Sequence, residues 1–217
     1  MSVLPMRSLL ISSLLVVLAG CGSAYKTLQP AGGNRNCVEA FRPVFGSDLY
    51  KAQVEVAGKN LSGLLLIKTM EDGSTRVVFS TETGVKFFDF EFGVEGGFRA
   101  HYVMKKLDKK MVVNALRNDF DLVLMNGLGQ GADRLMRREY KYYHGFQKGK
   151  KTAWYVTDAD CAALQHAELG SRRQLLVDAR LFAGEGKLFS GGGQAPDSVS
   201  IRHHNFNFNI ALKKLDR

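Results

Sequence analysis

Three cysteines and five histidines are the residues of this chain most able to act as nucleophiles, metal ligands or redox partners, and their spacing decides which chemistry is open. The histidines, His101, His144, His166, His203 and His204, are scattered, and none forms the i, i+4 helical pair of a zinc hydrolase. His203 and His204 are neighbours in an alternating stretch, so they point to opposite faces of a strand and do not share an ion. Asp158 and Asp160 lie near Cys161, but no histidine has an evident place beside them and there is no Cys-x-x-Cys. Gly-x-Ser-x-Gly elbows and nucleotide loops are missing, and Gly127, Gly129 and Gly131 lack the strand-to-helix setting of a phosphate cradle. The sequence therefore predicts no enzyme, no metal and no cofactor. Cys21 is different. It closes the run Leu18, Ala19, Gly20, Cys21 behind a cation, Arg7, and the apolar residues 9–19, which is the layout of a secretory signal with small residues at the cut. That stretch is shorter than the roughly 20 apolar residues of a spanning helix.

Leu18, Ala19, Gly20 and Cys21 resemble the lipobox of bacterial lipoproteins. The resemblance implies cleavage before Cys21, a diacylglyceryl thioether on its sulfur and an acylated new amino terminus. Two or three acyl chains, at about 0.8 kcal/mol per buried CH₂, hold a domain at a membrane almost permanently. Gly22, where an aspartate would retain an enterobacterial lipoprotein at the inner membrane, resembles an outer-membrane address, and the periplasmic face follows. Residues 1–20 are thus expected as signal peptide, 21–36 as a flexible lipid-anchored tether and 37–217 as a single domain. The tether reading rests on small and polar residues with Pro30, Gly32 and Gly33.

The formal charge of +9 loses one unit with Arg7 and leaves a basic chain. Such a surface suits anionic headgroups or acidic partners, and export argues against nucleic acid. In an oxidising periplasm Cys37 and Cys161 either pair or stay as two separate thiols, and spacing alone leaves both open.

The elements that must position these residues begin at Leu49, where Tyr50, Ala52, Val54 and Val56 alternate with polar neighbours. Turn signals at Gly58 to Asn60, Glu71 to Ser74, Glu82 to Gly84 and Gly93 to Gly97 divide the stretch into five short strands, an antiparallel meander. The period then changes. Val112, Leu116, Phe120, Val123 and Leu124 recur at helical spacing over residues 109–125, with Asp108 placed to cap the first turn. Further strands are predicted over 135–143, 152–157, 174–182, 187–190, 199–203 and 206–212, with a loop and short helix over 158–170 and another short helix near 37–47. The parity change at His204 and Asn205 marks a tight turn or a bulge. The fold class is α+β, mainly β: about ten strands and one long amphipathic helix laid on a one-sided sheet.

A lipobox, a glycine-bearing tether, a meander, an amphipathic helix and closing strands ending in Phe206, Asn207, Phe208, Asn209, Ile210, Ala211 and Leu212 resemble the LolA/LolB-like lipoprotein carriers. The resemblance implies a strongly curved antiparallel sheet, an unclosed barrel, whose apolar concave face is covered by the long helix and short helices and takes up acyl chains of lipids or lipoproteins. Lining residues would be Val54, Val56, Leu65, Ile67, Phe79, Phe88, Phe90, Phe206, Phe208 and Ile210, with Leu116 and Phe120 from the helix. A periplasmic carrier or envelope protein would be the partner. The chain departs from LolB in having no apolar residue at the tips of its early hairpins. The alternative is an assembly lipoprotein that grips a protein or cell-wall partner through the basic, tyrosine-rich stretch 134–143.

Overall fold

The computed structural model describes residues 23–215 apart from 57, 95 and 130, so Cys21 and the rest of the lipobox lie outside the described residues. Thirteen strands form one antiparallel sheet. A two-residue strand, β1 (Gln29–Pro30), precedes a first meander of β2 (Ser47–Val56), β3 (Lys59–Thr69), β4 (Thr75–Ser80), β5 (Lys86–Phe92) and β6 (Phe98–Val103). The helix α1 (Lys110–Val123) follows. A second meander then runs through β7 (Arg134–Arg138), β8 (Lys141–Lys148), β9 (Lys151–Thr157), β10 (Leu164–Gly170), β11 (Leu175–Phe182), β12 (Ser198–His203) and β13 (Phe208–Lys214). The two meanders meet where β13 pairs with β2, from Phe208 opposite Val56 to Lys214 opposite Tyr50, and the sheet ends at β1 and β6 without closing.

How strongly the sheet curves follows from what α1 touches. Phe120 lies 6.0 Å from Phe88 and 6.3 Å from Phe92 on β5, while the Tyr155 hydroxyl of β9 donates to the Leu122 carbonyl at 3.1 Å. Eight strand-to-strand steps separate β9 from β5. At about 4.8 Å per step that is an arc of roughly 38 Å. A helix only about 10 Å across reaches both ends of such an arc because the sheet curls around it. Inward residues of nearly every strand consequently share one apolar cluster with Ala115, Leu116, Phe120, Leu122 and Val123 of α1.

The mainly β class, the unclosed sheet and the single α-helix match expectation, whereas the count of about ten strands is corrected to thirteen. The stretch 134–143 is two strands, because Glu139 takes a positive φ of 56° and turns the chain at Glu139 and Tyr140 with no glycine, asparagine or aspartate to advertise it. The loop and short helix expected over 158–170 is mostly β10. A register shift between Leu164 and His166 spaces the inward residues Leu164, Ala167 and Leu169 by three and then two, which imitates a helical period. Residues 187–190 are not a strand: Leu188 and Phe189 make isolated bridges to Phe182 and Leu164. The parity change at His204 and Asn205 is the turn between β12 and β13. Asp108 does not cap α1; Lys109 is the capping residue and makes no side-chain bond. Besides α1, the described residues hold one short 3-10 helix, Cys37–Phe41, in place of several short helices.

Phe120 is fully buried between β5 and the helix. Phe120→Ala is expected to lower the unfolding free energy by about 3–5 kcal/mol, read from urea denaturation, because neighbouring rings on a fixed sheet cannot collapse into the space.

Candidate functional site

Of the twelve side chains expected to line a hollow, ten are buried in the main core cluster: Val54, Leu65, Ile67, Phe79, Phe88, Phe90, Leu116, Phe120, Phe208 and Ile210. Val56 is half-buried at its margin, and Phe206 is 37% exposed on the β12–β13 turn. The inward phenylalanines pack on one another, Phe79 at 4.7 Å from Phe87 and Phe88 at 4.5 Å from Phe90. In this conformation the centre of the half-barrel is filled there.

The open space lies on the other flank of α1. Inward positions on β4 and β5 are Phe79, Phe88, Phe90 and Phe92, whereas those on β9, β10 and β11 include Ala153, Ala167, Leu169, Val177 and Ala179. One helix cannot fill both sides. Its backbone lies nearest β10 and β11, whose small inward residues permit the approach and are buried by it, while the large rings span the wider gap to β4 and β5, and clefts open along the polar edge of the helix. One cleft of about 460 Å³ is bounded by Leu122, Ala153, Tyr155 and Leu169 below and by Asn114, Arg117, Asn118, Asp121, Lys148 and Lys151 at the mouth. A second, of about 230 Å³, shares Asn114, Asn118, Lys151 and Leu169 and extends toward Leu176, Phe206 and Met111. Together they form a slot with an apolar floor and a polar rim that carries three cations and one carboxyl group. A further cleft of about 530 Å³ on the outer face, beside Gln53, Glu55, Ser62 and Arg202, is mostly polar.

Polar bonds hold the slot's roof. Asp119 and His203, both buried, meet at 2.9 Å across α1 and β12. Burial pushes the Asp119 carboxyl above its usual range, and the His203 ring opposes that shift. At the mouth, burial raises Asp121, with Arg117 and Asn126 working against it. Lys148 donates to the carbonyls of Asn126 (2.7 Å) and Gly127 (3.2 Å), and burial lowers its ammonium.

Cys37 and Cys161 are joined, S–S 2.02 Å, tying the 3-10 helix to the loop before β10. On the chain-entropy account, closing a loop of 124 residues stabilises by about 5 kcal/mol. Beside the bridge sits the buried His144, its Nε2 at 3.7 Å from the Cys37 sulfur and 3.2 Å from the Thr157 hydroxyl. Burial lowers His144 from its ordinary 6.5 to about 4. Sequence reasoning missed both His144 and the Asp119–His203 pair. Their inward parity opposite Tyr155 and Phe120's neighbourhood was the available signal, but a histidine at such a position reads as any strand residue.

The described part of the segment expected as a tether is laid along the outer face. Tyr25 stacks on Trp154 with ring centres 5.6 Å apart, and Leu28 and Met136 pack with Tyr143, Trp154 and Val156. The backbone of Ala24 bonds to Arg173 (3.2 Å) and accepts from Arg138 (2.6 Å), and the Ser23 hydroxyl donates to the Arg172 carbonyl (3.0 Å). Gly170 makes room for this strap, since a Cβ there would come within 2.3 Å of the Tyr25 oxygen. Arg138 and Tyr143, from the basic, tyrosine-rich stretch expected as a partner surface, are therefore engaged within the chain, while Tyr140 is 86% exposed.

These features define a class in structural terms: an open antiparallel half-barrel wrapped on one helix, with a slot between helix and sheet. No family model matches the chain, and no curated protein does. Among solved structures it is similar to a DUF1329 family protein from Desulfovibrio piger ATCC 29098, at 9% identity over 84% of this chain and 92% of that one, with a TM-score of 0.38. A domain named for outer membrane lipoprotein sorting, from Vibrio parahaemolyticus, is 10% identical over 82% of this chain and 87% of that one, with a TM-score of 0.35. Both superpositions are loose, and neither assigns an activity to this chain.

Two measurements test the polar groups. His203→Leu leaves Asp119 buried without its partner and is expected to cost about 3–5 kcal/mol in urea denaturation, while the double change Asp119→Leu with His203→Leu restores most of that. His144 is held neutral by the fold, so its contribution to stability is present above pH 6.5 and is lost as pH falls toward 4. The unfolding free energy should drop over that window, and His144→Gln should flatten the slope.

Proposed function

We propose that the protein is a lipid-anchored envelope protein that binds an amphipathic ligand, an acyl chain beneath a polar or anionic head, in the slot between α1 and strands β8 to β12. One observation carries this reading: along the edge of α1, Leu122, Ala153, Tyr155 and Leu169 form an apolar floor beneath a polar rim of Asn118, Arg117, Lys148 and Lys151. Apolar clefts with a few placed polar groups are the usual build of small-molecule sites. The lipobox supplies the anchor at Cys21, and the outer membrane, periplasmic face, is the proposed location. Acyl chains of lipids or of other lipoproteins are the proposed cargo, and a periplasmic carrier the proposed donor. The slot takes the place of the central hollow first expected around Phe79, Phe88 and Phe90.

The test uses mature chain made without acylation and oxidised to close the Cys37–Cys161 bridge, offered oleic acid and examined by native mass spectrometry. One retained fatty acid is expected. Asn118→Trp, at a position that lines both clefts outside the core, should abolish retention while leaving the melting temperature unchanged. Wild-type chain that retains no fatty acid overturns the proposal.

A further inference from the structure

A lipid anchor on a free leash would let the domain tumble above the bilayer, and the strap removes that freedom. From Ser23 to Leu28 the chain is fixed to the outer face by the Tyr25–Trp154 stack and by backbone bonds at Ala24 to Arg173 and Arg138. Cys21 is two residues before Ser23, so its Cα lies within about 7 Å of that of Ser23 whatever path the chain takes. Ser23 is itself bonded to Arg172, in the turn between β10 and β11. The attachment point of the acyl chains is therefore confined to one end of the sheet.

That end has the surface a bilayer requires. The turn 171–174 sits beside the turn 204–207: Ala24, Arg173, Gln174, His204 and Asn205 border one recess, and the His204 amide donates to Leu176 at 2.9 Å. Asn205 also borders the outer reach of the slot together with Phe206 and Met111. Phe206 is 37% and Met111 71% exposed, so two large apolar side chains project at this rim. The cations Arg172, Arg173, Lys109 and Lys110 are exposed beside them, with Asp108, Glu55 on Asn207 and Asp178 on His204 as acidic neighbours. Apolar tips beside four exposed cations, in excess over the three carboxylates there, suit the headgroup layer of an anionic leaflet.

We infer that the rim formed by turns 171–174 and 204–207 and the first turn of α1 is the face that docks on anionic phospholipid, set there by the strap 23–28 between the lipidated Cys21 and the sheet. The slot then opens toward the membrane. The inference rests on Cys21 being acylated, and its test separates the two.

Nitroxide labels are placed through Asn205→Cys and, at the opposite end of β11, through Glu185→Cys, in full-length acylated protein reconstituted in vesicles of phosphatidylethanolamine and phosphatidylglycerol. Expected is a severalfold loss of access of an aqueous relaxation agent to the label at 205, with the label at 185 unchanged. Tyr25→Ala, and independently Gly170→Ala, which displaces the Tyr25 ring, should abolish that difference while the protein still sediments with vesicles. Anchored protein in which both labels are equally accessible overturns the docking face and leaves the anchor standing. Protein without acyl mass at Cys21 that does not sediment with vesicles overturns the anchor, and the docking face with it.

Discussion

Everything in this structure depends on a sheet bent around a single helix too slender to fill it. Thirteen strands present more inward surface than the apolar stripe of α1 can cover, so the helix must favour one flank. It lies nearest β10 and β11, whose small inward residues permit close approach, and the rings of β4 and β5, stacked on their neighbours, fill the wider space on the other flank. The slot runs along the polar edge of α1, where Asn114, Asn118 and Lys151 border it.

The electrostatics follow from that arrangement. A buried carboxylate on α1 is tolerable only opposite a donor, and the inward position of His203 on β12 supplies one. The pair ties α1 to β12. On the outer face the same logic pairs a buried charge: Asp89 is held by Arg76 at 2.7 Å and by Lys86 at 2.8 Å, and its carboxyl stays below the usual range through those bonds despite the opposing effect of burial. The exception on that face is the patch around Trp154, which is apolar where the strap lies on it.

Much of the architecture was legible from residue period. The first meander could be read because alternation over residues 50–56 and 86–92 was clean and glycine marked turns at 58, 73 and 84, where φ is positive. The helix was legible from its apolar spacing. The second meander was less so, because a turn at Glu139 carried no turn residue and a bulge in β10 broke the alternation. The site was only half legible. Which side chains face inward followed from parity, but whether an inward face is full or open depends on comparing volumes across strands far apart in sequence. Phe79 and Ala167 are both simply inward until the sheet's order sets one flank against the other. The strap was obscured by composition, since Tyr25 and Leu28 are isolated among small polar residues and their partner Trp154 lies far along the chain.

The joint between β13 and β2 governs how the molecule comes into being. Within the sheet the two meanders touch nowhere else, so the middle of the barrel wall is built from the last strand and one of the first. A ribosome must release nearly the whole polypeptide before that seam can form, and contacts of such long sequence separation form slowly. Until then the facing edges of β2 and β13 are both unpaired, and open edges of that kind invite pairing with other chains.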